Sequence, residues 1–380
     1  MNVKTVSYRK TRLSNIGALI ILKLFVLLLL FPFAGLSQDA SFSQFTTNNL
    51  YFNPAYVGSN EKIDVLIHYR RYLTRMPSKF ENMYFSVDFP FNFGKNFGLG
   101  GAGILFFQDS EGDGSLKKSL IGMPISTQIS SNDQRYLVQF GIMPSIVFNS
   151  VNWTDYIFGN QLDKNTGYDK NIQPPTGNYK EKLPAYPDFS FGFLGKYVTV
   201  PNMNSDFNSK VLEIGVAFHH LPLKINQSFS NGFAPLPFKL VGVVKYTFPI
   251  EMHFQEDLLI QPAAVFELQG PMSTSMISAK IIKPMYLFGF GFRNEQTDIL
   301  AFNNFFVEMG FSILDPHEKQ RRSWITLSID LPVKSQYTVV NTSWELSINF
   351  KLPQKWFRGI CPNDRCKTVN YDKKSVCRIF

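Results

Sequence analysis

The stretch Ser343-Trp344-Glu345-Leu346-Ser347-Ile348-Asn349-Phe350-Lys351-Leu352 alternates without a break. Every even position is large and apolar, and every odd position is polar. Successive side chains of a β-strand point to opposite faces. This segment therefore presents Trp, Leu, Ile, Phe and Leu to one side and Ser, Glu, Ser, Asn and Lys to the other. Such a strand suits lipid on one face and water on the other.

Comparable segments recur along the chain at 61–72, 80–91, 97–108, 115–130, 135–150, 186–200, 209–221, 235–250, 256–268, 273–283, 285–295, 303–315, 323–333 and 341–352. Fourteen is an even number, as single-chain bacterial barrels require. With the amino terminus in the periplasm, the connections after odd strands face outward. They include Asp109–Gly114, the long Val151–Ala185 segment and Pro222–Ala234. The inward ones are shorter, such as Asn92–Asn96, Ser131–Asp133 and the Lys283-Pro284 break. Long outer loops with short inner turns are the expected asymmetry. The fold expected is all-β, a transmembrane antiparallel β-barrel of about fourteen strands over 61–352. An array of soluble β-sandwiches would alternate too, but fourteen strands with no domain linker make one barrel the simpler reading.

Composition agrees. Charged residues are 18% of the chain, yet Phe occurs 38 times and Tyr 16 times, while mean hydropathy is near zero. An apolar lipid face and a polar lumen face average out in this way. The net charge of +9 sits at the ends: residues 1–37 and 353–380 contribute +5 each and leave 38–352 at −1. The body therefore carries no basic footprint for nucleic acid.

Residues 1–37 read as a cleaved signal peptide. A basic region (Tyr8-Arg9-Lys10-Thr11-Arg12) precedes an apolar run from Ile16 to Phe33, then Ala34-Gly35-Leu36-Ser37. Cleavage after Ser37 would leave Gln38 first. A retained transmembrane helix is the rival, which Lys23 and Pro32 disfavour. Residues 38–60 then form a periplasmic or lumenal segment. Residues 353–380 form a basic periplasmic tail holding all three cysteines. An oxidising periplasm allows one disulfide. Cys361–Cys366 would close a short loop, leaving Cys377 to pair with a partner or stay free.

The segment after the expected cleavage site is the most specific in the chain. Gln38-Asp39-Ala40-Ser41-Phe42-Ser43-Gln44-Phe45 and Asn49-Leu50-Tyr51-Phe52-Asn53-Pro54-Ala55-Tyr56-Val57-Gly58-Ser59 resemble the mature start of the PorP/SprF family, outer-membrane proteins of the Bacteroidota type IX secretion system, some linked to gliding motility. The resemblance continues in order through His68-Tyr69-Arg70-Arg71, Gly98-Leu99-Gly100, Trp153-Thr154-Asp155, Phe158-Gly159-Asn160-Gln161-Leu162-Asp163, Pro187-Asp188-Phe189-Ser190-Phe191-Gly192, Gly215-Val216-Ala217-Phe218-His219-His220-Leu221, Leu236-Pro237-Phe238-Lys239 and Leu259-Ile260-Gln261-Pro262. Residues 298–340 follow the pattern loosely, and Asp315–Arg322 is unusually charged. The resemblance implies an outer-membrane accessory protein that works by binding. It would help a secreted adhesin or other protein with a C-terminal sorting domain to be exported or attached at the cell surface. Periplasmic components of the secretion system and outer-membrane lipid would be its other partners. The alternative is a porin or hydrophobic-solute transporter of the outer membrane.

Two regions stand out as partner-binding candidates. Asn53-Pro54-Ala55-Tyr56 precedes the first strand, and Pro54 biases Asn53 towards extended geometry. It either docks machinery or plugs the pore, or it is a structural turn packing Phe52 and Tyr56 against the barrel end. Val151–Ala185 is too long for a simple turn and holds Trp153, Tyr156, Phe158, Tyr168 and Tyr179. These aromatics suit partner recognition or a self-packed lid. Asp109-Ser110-Glu111-Gly112-Asp113-Gly114 lacks the ligand spacing of a calcium loop and reads as a hairpin turn. His219-His220 would point to opposite faces of a strand and so not share a metal. No nucleophile elbow, phosphate loop or zinc motif stands out. No cofactor and no catalytic residue is expected. A barrel hydrolase would need Ser or Asp beside His at the outer rim.

Overall fold

The computed structural model describes residues 39–60, 62–73, 79–92, 99–112, 116–131, 133, 135–153, 156–163, 167–169, 171–172, 180–199, 210–221, 225–230, 233–250, 258–295, 302–315, 318–333 and 342–352. The expected signal peptide and the tail with Cys361 and Cys366 lie outside them.

Fourteen antiparallel strands close into a barrel. They are β1 (Ile63–Leu73), β2 (Phe80–Asn92), β3 (Leu99–Glu111), β4 (in two pieces, Leu116–Gly122 and Ile125–Ser130), β5 (Tyr136–Ser150), β6 (Tyr186–Val198), β7 (Val211–His219), β8 (Lys239–Ile250), β9 (Leu258–Gln269), β10 (Met272–Ile282), β11 (Tyr286–Glu295), β12 (Asn304–Asp315), β13 (Glu318–Pro332) and β14 (Thr342–Leu352). Each pairs with its sequence neighbours. β1 and β14 close the seam, from Ile63↔Leu352 to Leu73↔Thr342. Closure leaves no edge strand. In β14 the alternation is realised as expected: Ser343, Glu345, Ser347 and Asn349 are buried inside, while Phe350 is exposed on the outer wall.

Where strand limits differ from the sequence pattern, proline and local geometry explain most of it. β8 begins at Lys239 because Pro235 and Pro237 lack ladder donors. β4 is interrupted at Met123-Pro124 for the same reason. The wall is bridged there by Gly103 N–H to the Pro124 carbonyl (2.9 Å) and Met123 N–H to the Pro144 carbonyl (3.0 Å). β13 starts at Glu318, ahead of the apolar pattern, since backbone pairing does not need apolar side chains. The register is irregular there, between Leu314 and Asp315. β3 pairs through Glu111, and the turn comes at Gly112 with φ +73°.

The lumen is filled. Residues 39–59 run through it as a short helix α1 (Asn49–Phe52), a 3-10 turn (Pro54–Tyr56) and extended chain. Phe42, Phe45, Phe52 and Val57 are buried against Leu66, Leu105, Phe107, Val241, Val265, Met276 and Phe306 of the wall. Phe42 packs on His68 (ring centroids 4.5 Å apart) and on Tyr51 (5.1 Å). The inner face is thus part apolar, and β3 carries large side chains on both faces, with Leu105 and Phe107 inside and Ile104 outside.

Backbone approaches the wall closely at Gly141. A Cβ there would lie 2.5 Å from the Ala55 nitrogen and 2.6 Å from its Cα. Gly141→Val should therefore displace the turn and lower stability by about 1–3 kcal/mol, the usual range for overpacking. Gly242, with nothing within 4 Å of its added Cβ, should accept Val without effect. The temperature at which the folded band converts to the unfolded one in detergent gels would report both.

Candidate functional site: the occupied lumen and the outer mouth

The wall holds the lumenal segment chiefly through buried polar groups. Glu345 on β14 accepts from Ser43 N–H (2.8 Å) and Gln44 N–H (3.0 Å). Arg70 and Arg293 both donate to the Ser41 carbonyl. Both guanidiniums also meet Asp330, Arg70 at 3.1 Å and Arg293 at 3.5 Å. Ser43 Oγ donates to Asp330 (2.7 Å), and Asn48 Nδ2 bonds His68 Nδ1 (2.8 Å). Further along, Ser126 Oγ (2.5 Å) and Gln139 Nε2 (2.6 Å) donate to the Val57 carbonyl, and Gly58 N–H donates to Asp88 (2.6 Å).

Asn53, Pro54 and Tyr56 are all buried in this interface. Asn53 is extended (φ −153°) and caps the 3-10 turn by accepting from Ala55 N–H at 2.9 Å. Its Nδ2 donates to the Phe193 carbonyl at 2.8 Å. The Tyr56 hydroxyl donates to Glu213 (3.3 Å), and the Lys196 and Lys245 ammoniums lie 5.9 and 5.3 Å from its ring. Their partners in the structure are groups of the barrel itself.

The sequence pattern put the amino terminus on the periplasmic side, but Asp39 lies at the other end of the lumen. Gly58 and the Ser59 carbonyl meet Asp88 and Lys196, at the ends of β2 and β6 that lead into shorter connections. Asp39 sits at the opposite end, where the long connections 151–185 and 220–238 emerge. By the length asymmetry of such barrels that end faces the cell exterior. There the Asp39 carboxylate meets Lys118 Nζ (2.5 Å) and His220 Nε2 (2.6 Å), and its N–H donates to Gln269 (2.8 Å). His220 Nδ1 contacts Asp188 at 2.8 Å.

His219 and His220 do not take opposite faces. His220 adopts φ +57°, and both imidazoles are buried. The left-handed turn at the strand end carries the second ring inward, where two carboxylates hold it. Local strain of this kind persists only where surrounding contacts impose it. His219 Nδ1 lies 2.9 Å from Ser190 Oγ and its Nε2 lies 3.1 Å from the Phe52 carbonyl. That pair is enclosed by the lumenal segment. The neighbouring groove of 280 Å³, lined by Ile142, Pro144, Phe189, Phe191 and Phe218, is apolar and faces outward. Among the described residues, no group of three or more His, Cys, Asp or Glu side chains is placed to hold a metal ion.

In the long outer connection, the Trp153 indole donates to the Lys180 carbonyl (2.9 Å) and meets Phe229 edge-on at 6.2 Å. Lys180 N–H donates to the Phe229 carbonyl. Trp153 therefore ties two outer loops together, with Tyr156 tilted against it at 5.8 Å and Phe158 against Tyr156 at 6.4 Å. Tyr168 is exposed on a small hairpin opposite Leu162. Tyr179 lies outside the described residues. Among the described residues, the exposed apolar side chains of these loops include Ile157, Leu162, Tyr168, Ile172 and Phe233, the last 67% exposed. Of these, the sequence pattern marks only Tyr168: Ile157, Leu162 and Ile172 are isolated aliphatics, and Phe233 lies in the second outer connection, where no candidate was expected.

The family model described as type IX secretion system membrane protein PorP/SprF matches residues 34–350. The chain belongs to this family. Membership and barrel together make it an outer-membrane protein of type IX secretion. Among solved structures, it is similar to BamA from Haemophilus ducreyi lacking POTRA domains 1–3 (8% identity, 76% of this chain and 70% of that one, TM-score 0.40). It is also similar to the CymD monoaromatic hydrocarbon channel (10%, 83% and 94%, TM-score 0.41) and to a Pseudomonas aeruginosa FadL homologue (10%, 79% and 93%, TM-score 0.40). No curated protein matches the chain.

The mouth clasp sets a pH dependence. Burial alone would lower the His220 pKa, but Asp39 and Asp188 outweigh it and raise it above the ordinary value of 6.5. Burial alone would raise Asp39, but Lys118 and His220 hold it well below 3.8. The His220 contribution is therefore complete below pH ~6.5 and lost as pH rises through the raised value. The Asp39 contribution is complete above ~3.8 and lost only as pH falls through its depressed value. Hydrogen exchange of amides 39–44, corrected for intrinsic rate, should accelerate above neutral pH in the native chain. In His220→Gln that rise should be absent.

Proposed function

We propose that this protein is a sealed outer-membrane scaffold that helps a secreted adhesin or other protein with a C-terminal sorting domain to be exported or attached at the cell surface. It acts by binding and not by catalysis. The observation that carries this reading is the filled lumen: a chain bonded to the wall from Asp39 to Ser59 leaves the outer loops as the working surface. The exposed apolar residues Ile157, Leu162, Tyr168, Ile172 and Phe233 lie on those loops. Apolar and aromatic anchors of this kind typically carry the binding energy of an interface. The Trp153 strut supports the reading by holding the two loops as one platform. Tyr179 and the aromatics packed behind Trp153 would complete it. The lumenal segment favours this over a porin or solute transporter, since a solute would have to displace it. On the periplasmic side, the basic tail 353–380, with a Cys361–Cys366 disulfide, would meet components of the secretion machinery.

Two measurements test the reading. Purified protein in a planar bilayer should show no sustained conductance, whereas a large open pore would favour the transporter. Replacing Leu162, Tyr168 and Phe233 with Ser should cut recovery of the sorting-domain partner in outer-membrane pull-downs by about tenfold or more, with the barrel's heat resistance unchanged. Unchanged recovery, or a full set of surface proteins after gene deletion, would sink the scaffold role.

A further inference from the structure

The outer wall carries a cationic rim and an apolar groove along one strand, and the filled lumen uses neither. On β5 the even residues face outward: Ser150 at the outer rim, then Phe148, Ile146, Pro144 and Ile142 below it. Ser150 stands between two exposed lysines. It pairs with Lys117 of β4 on one side and with Lys182 on the other. Side chains directly opposite each other in an antiparallel pair share a face, so both ammoniums lie on the bilayer side of the rim. Lys118, one residue on, points inward to Asp39. By the same alternation Glu181 leaves the chain on the side opposite Lys182. Neighbouring strands lie about 4.8 Å apart, which sets the two lysine backbones roughly 10 Å from each other. Their long flexible stems let both heads converge on one phosphate.

We propose that this outward face of β4, β5 and β6 binds a phosphorylated glycolipid of the outer leaflet. Lys117 and Lys182 hold its phosphate, and one acyl chain lies in the groove of 280 Å³ between Ile142, Pro144, Phe189, Phe191 and Phe218. The surface between rim and groove is continuous and apolar, made by the exposed Ile121, Ile146 and Phe148. Depth agrees with this assignment. From Ser150 down to Pro144 the strand covers roughly 20 Å, at about 3.3 Å per residue. A strand tilt of about 40° turns that into roughly 15 Å of depth. The hydrocarbon core is about 30 Å thick, so a chain hanging from the rim ends in the groove near its midplane. Loop length places the lysines at the outer surface, where the lipid phosphate is carried on a sugar head. The site lies outside the barrel and depends neither on the filled lumen nor on the outer platform.

The test is a lipid titration of the full-length protein, purified from outer membranes and stripped of lipid in detergent. The probes are lipid A, lipid A with its phosphates removed, and phosphatidylglycerol, with bound lipid read by native mass spectrometry. Native protein should bind lipid A more tightly than either of the others. Lys117→Gln combined with Lys182→Gln should weaken lipid A about twentyfold, at about fivefold per lysine, and leave the dephosphorylated form unchanged. Lys283→Gln, at an exposed lysine of the periplasmic turn between β10 and β11, should change nothing. Ile142→Trp narrows the groove and should weaken both forms of lipid A. Each variant is first checked for the heat-resistant band of the folded barrel. Equal lipid A binding by the native chain and the double lysine variant would overturn the proposal. So would an Ile142→Trp chain that binds as the native one does, or phosphatidylglycerol held as tightly as lipid A.

Discussion

Glu345 is the point on which the rest of the structure hangs. Its two oxygens accept successive backbone amides, Ser43 and Gln44, from a segment some three hundred residues away. It stands on β14, the last strand, directly opposite Arg70 on β1, the first. The carboxylate is fully buried, and such a charge is tolerable only when paired and hydrogen-bonded. Arg70 Nε at 3.4 Å and His68 Nε2 at 3.3 Å complete that pairing, so anchoring the lumenal segment and closing the barrel draw on the same groups. Removing one member of a buried ion pair usually costs more than the pair contributes, because it strands the other charge. The lumen wall and the segment are therefore interdependent, and neither reads sensibly as an accessory to the other.

This interdependence decides what the barrel can do. A wall lined by Arg70, Arg293, Asp330 and Glu345 would suit a water-filled channel if nothing stood in it. Here Arg70, Arg293 and Glu345 bond the main chain of residues 41–44, and Asp330 accepts from the Ser43 hydroxyl. The apolar half of the lumen, from Leu105 round to Phe306, is covered by Phe42, Phe45 and Phe52. The segment matches the polar and the apolar parts of its container alike. Of the two ends, the outer one has the larger loops and the exposed apolar side chains.

How much of this the sequence carried follows from where the side-chain pattern is set by lipid and where by protein. Strands such as β14 face bilayer on one side and polar groups on the other, so alternation is strict and the strand was visible residue by residue. β3 faces bilayer on one side and Phe42 and Tyr51 on the other. Its Leu-Phe-Phe run therefore hides the period, and only its place between turns revealed it. The same logic explains the candidate site. Asn53-Pro54 signalled a turn because proline acts locally. Nothing local could show that the turn packs on Gly141, or that the segment runs from the outer mouth inward. His219-His220 misled for a related reason: two-residue periodicity assumes extended backbone, and His220 leaves it at φ +57°. Trp153 was marked as a partner-binding candidate; its indole N–H bonds Lys180 of its own connection and its ring meets Phe229 of the next, a contact across the mouth that spacing cannot encode.

The choice of an amino-terminal rather than an interior segment as the filling also has a physical logic. An interior loop folded into the lumen must bring two chain crossings through one mouth, and both need space and satisfied backbone groups. A terminal segment needs a single crossing. Residues 39–59 make it once, leaving at the periplasmic end through Gly58, whose φ of +69° lets the chain turn from the lumen into β1. Asp88 takes the Gly58 amide at that corner, so the one bend the path requires is also hydrogen-bonded. Asp39, the first described residue of the segment, lies at the outer mouth. The Asp39–Lys118–His220–Asp188 cluster is what holds it there. It is built from the ends of β4, β6 and β7, so the termini of three strands and the start of the lumenal segment are fixed by one set of charges.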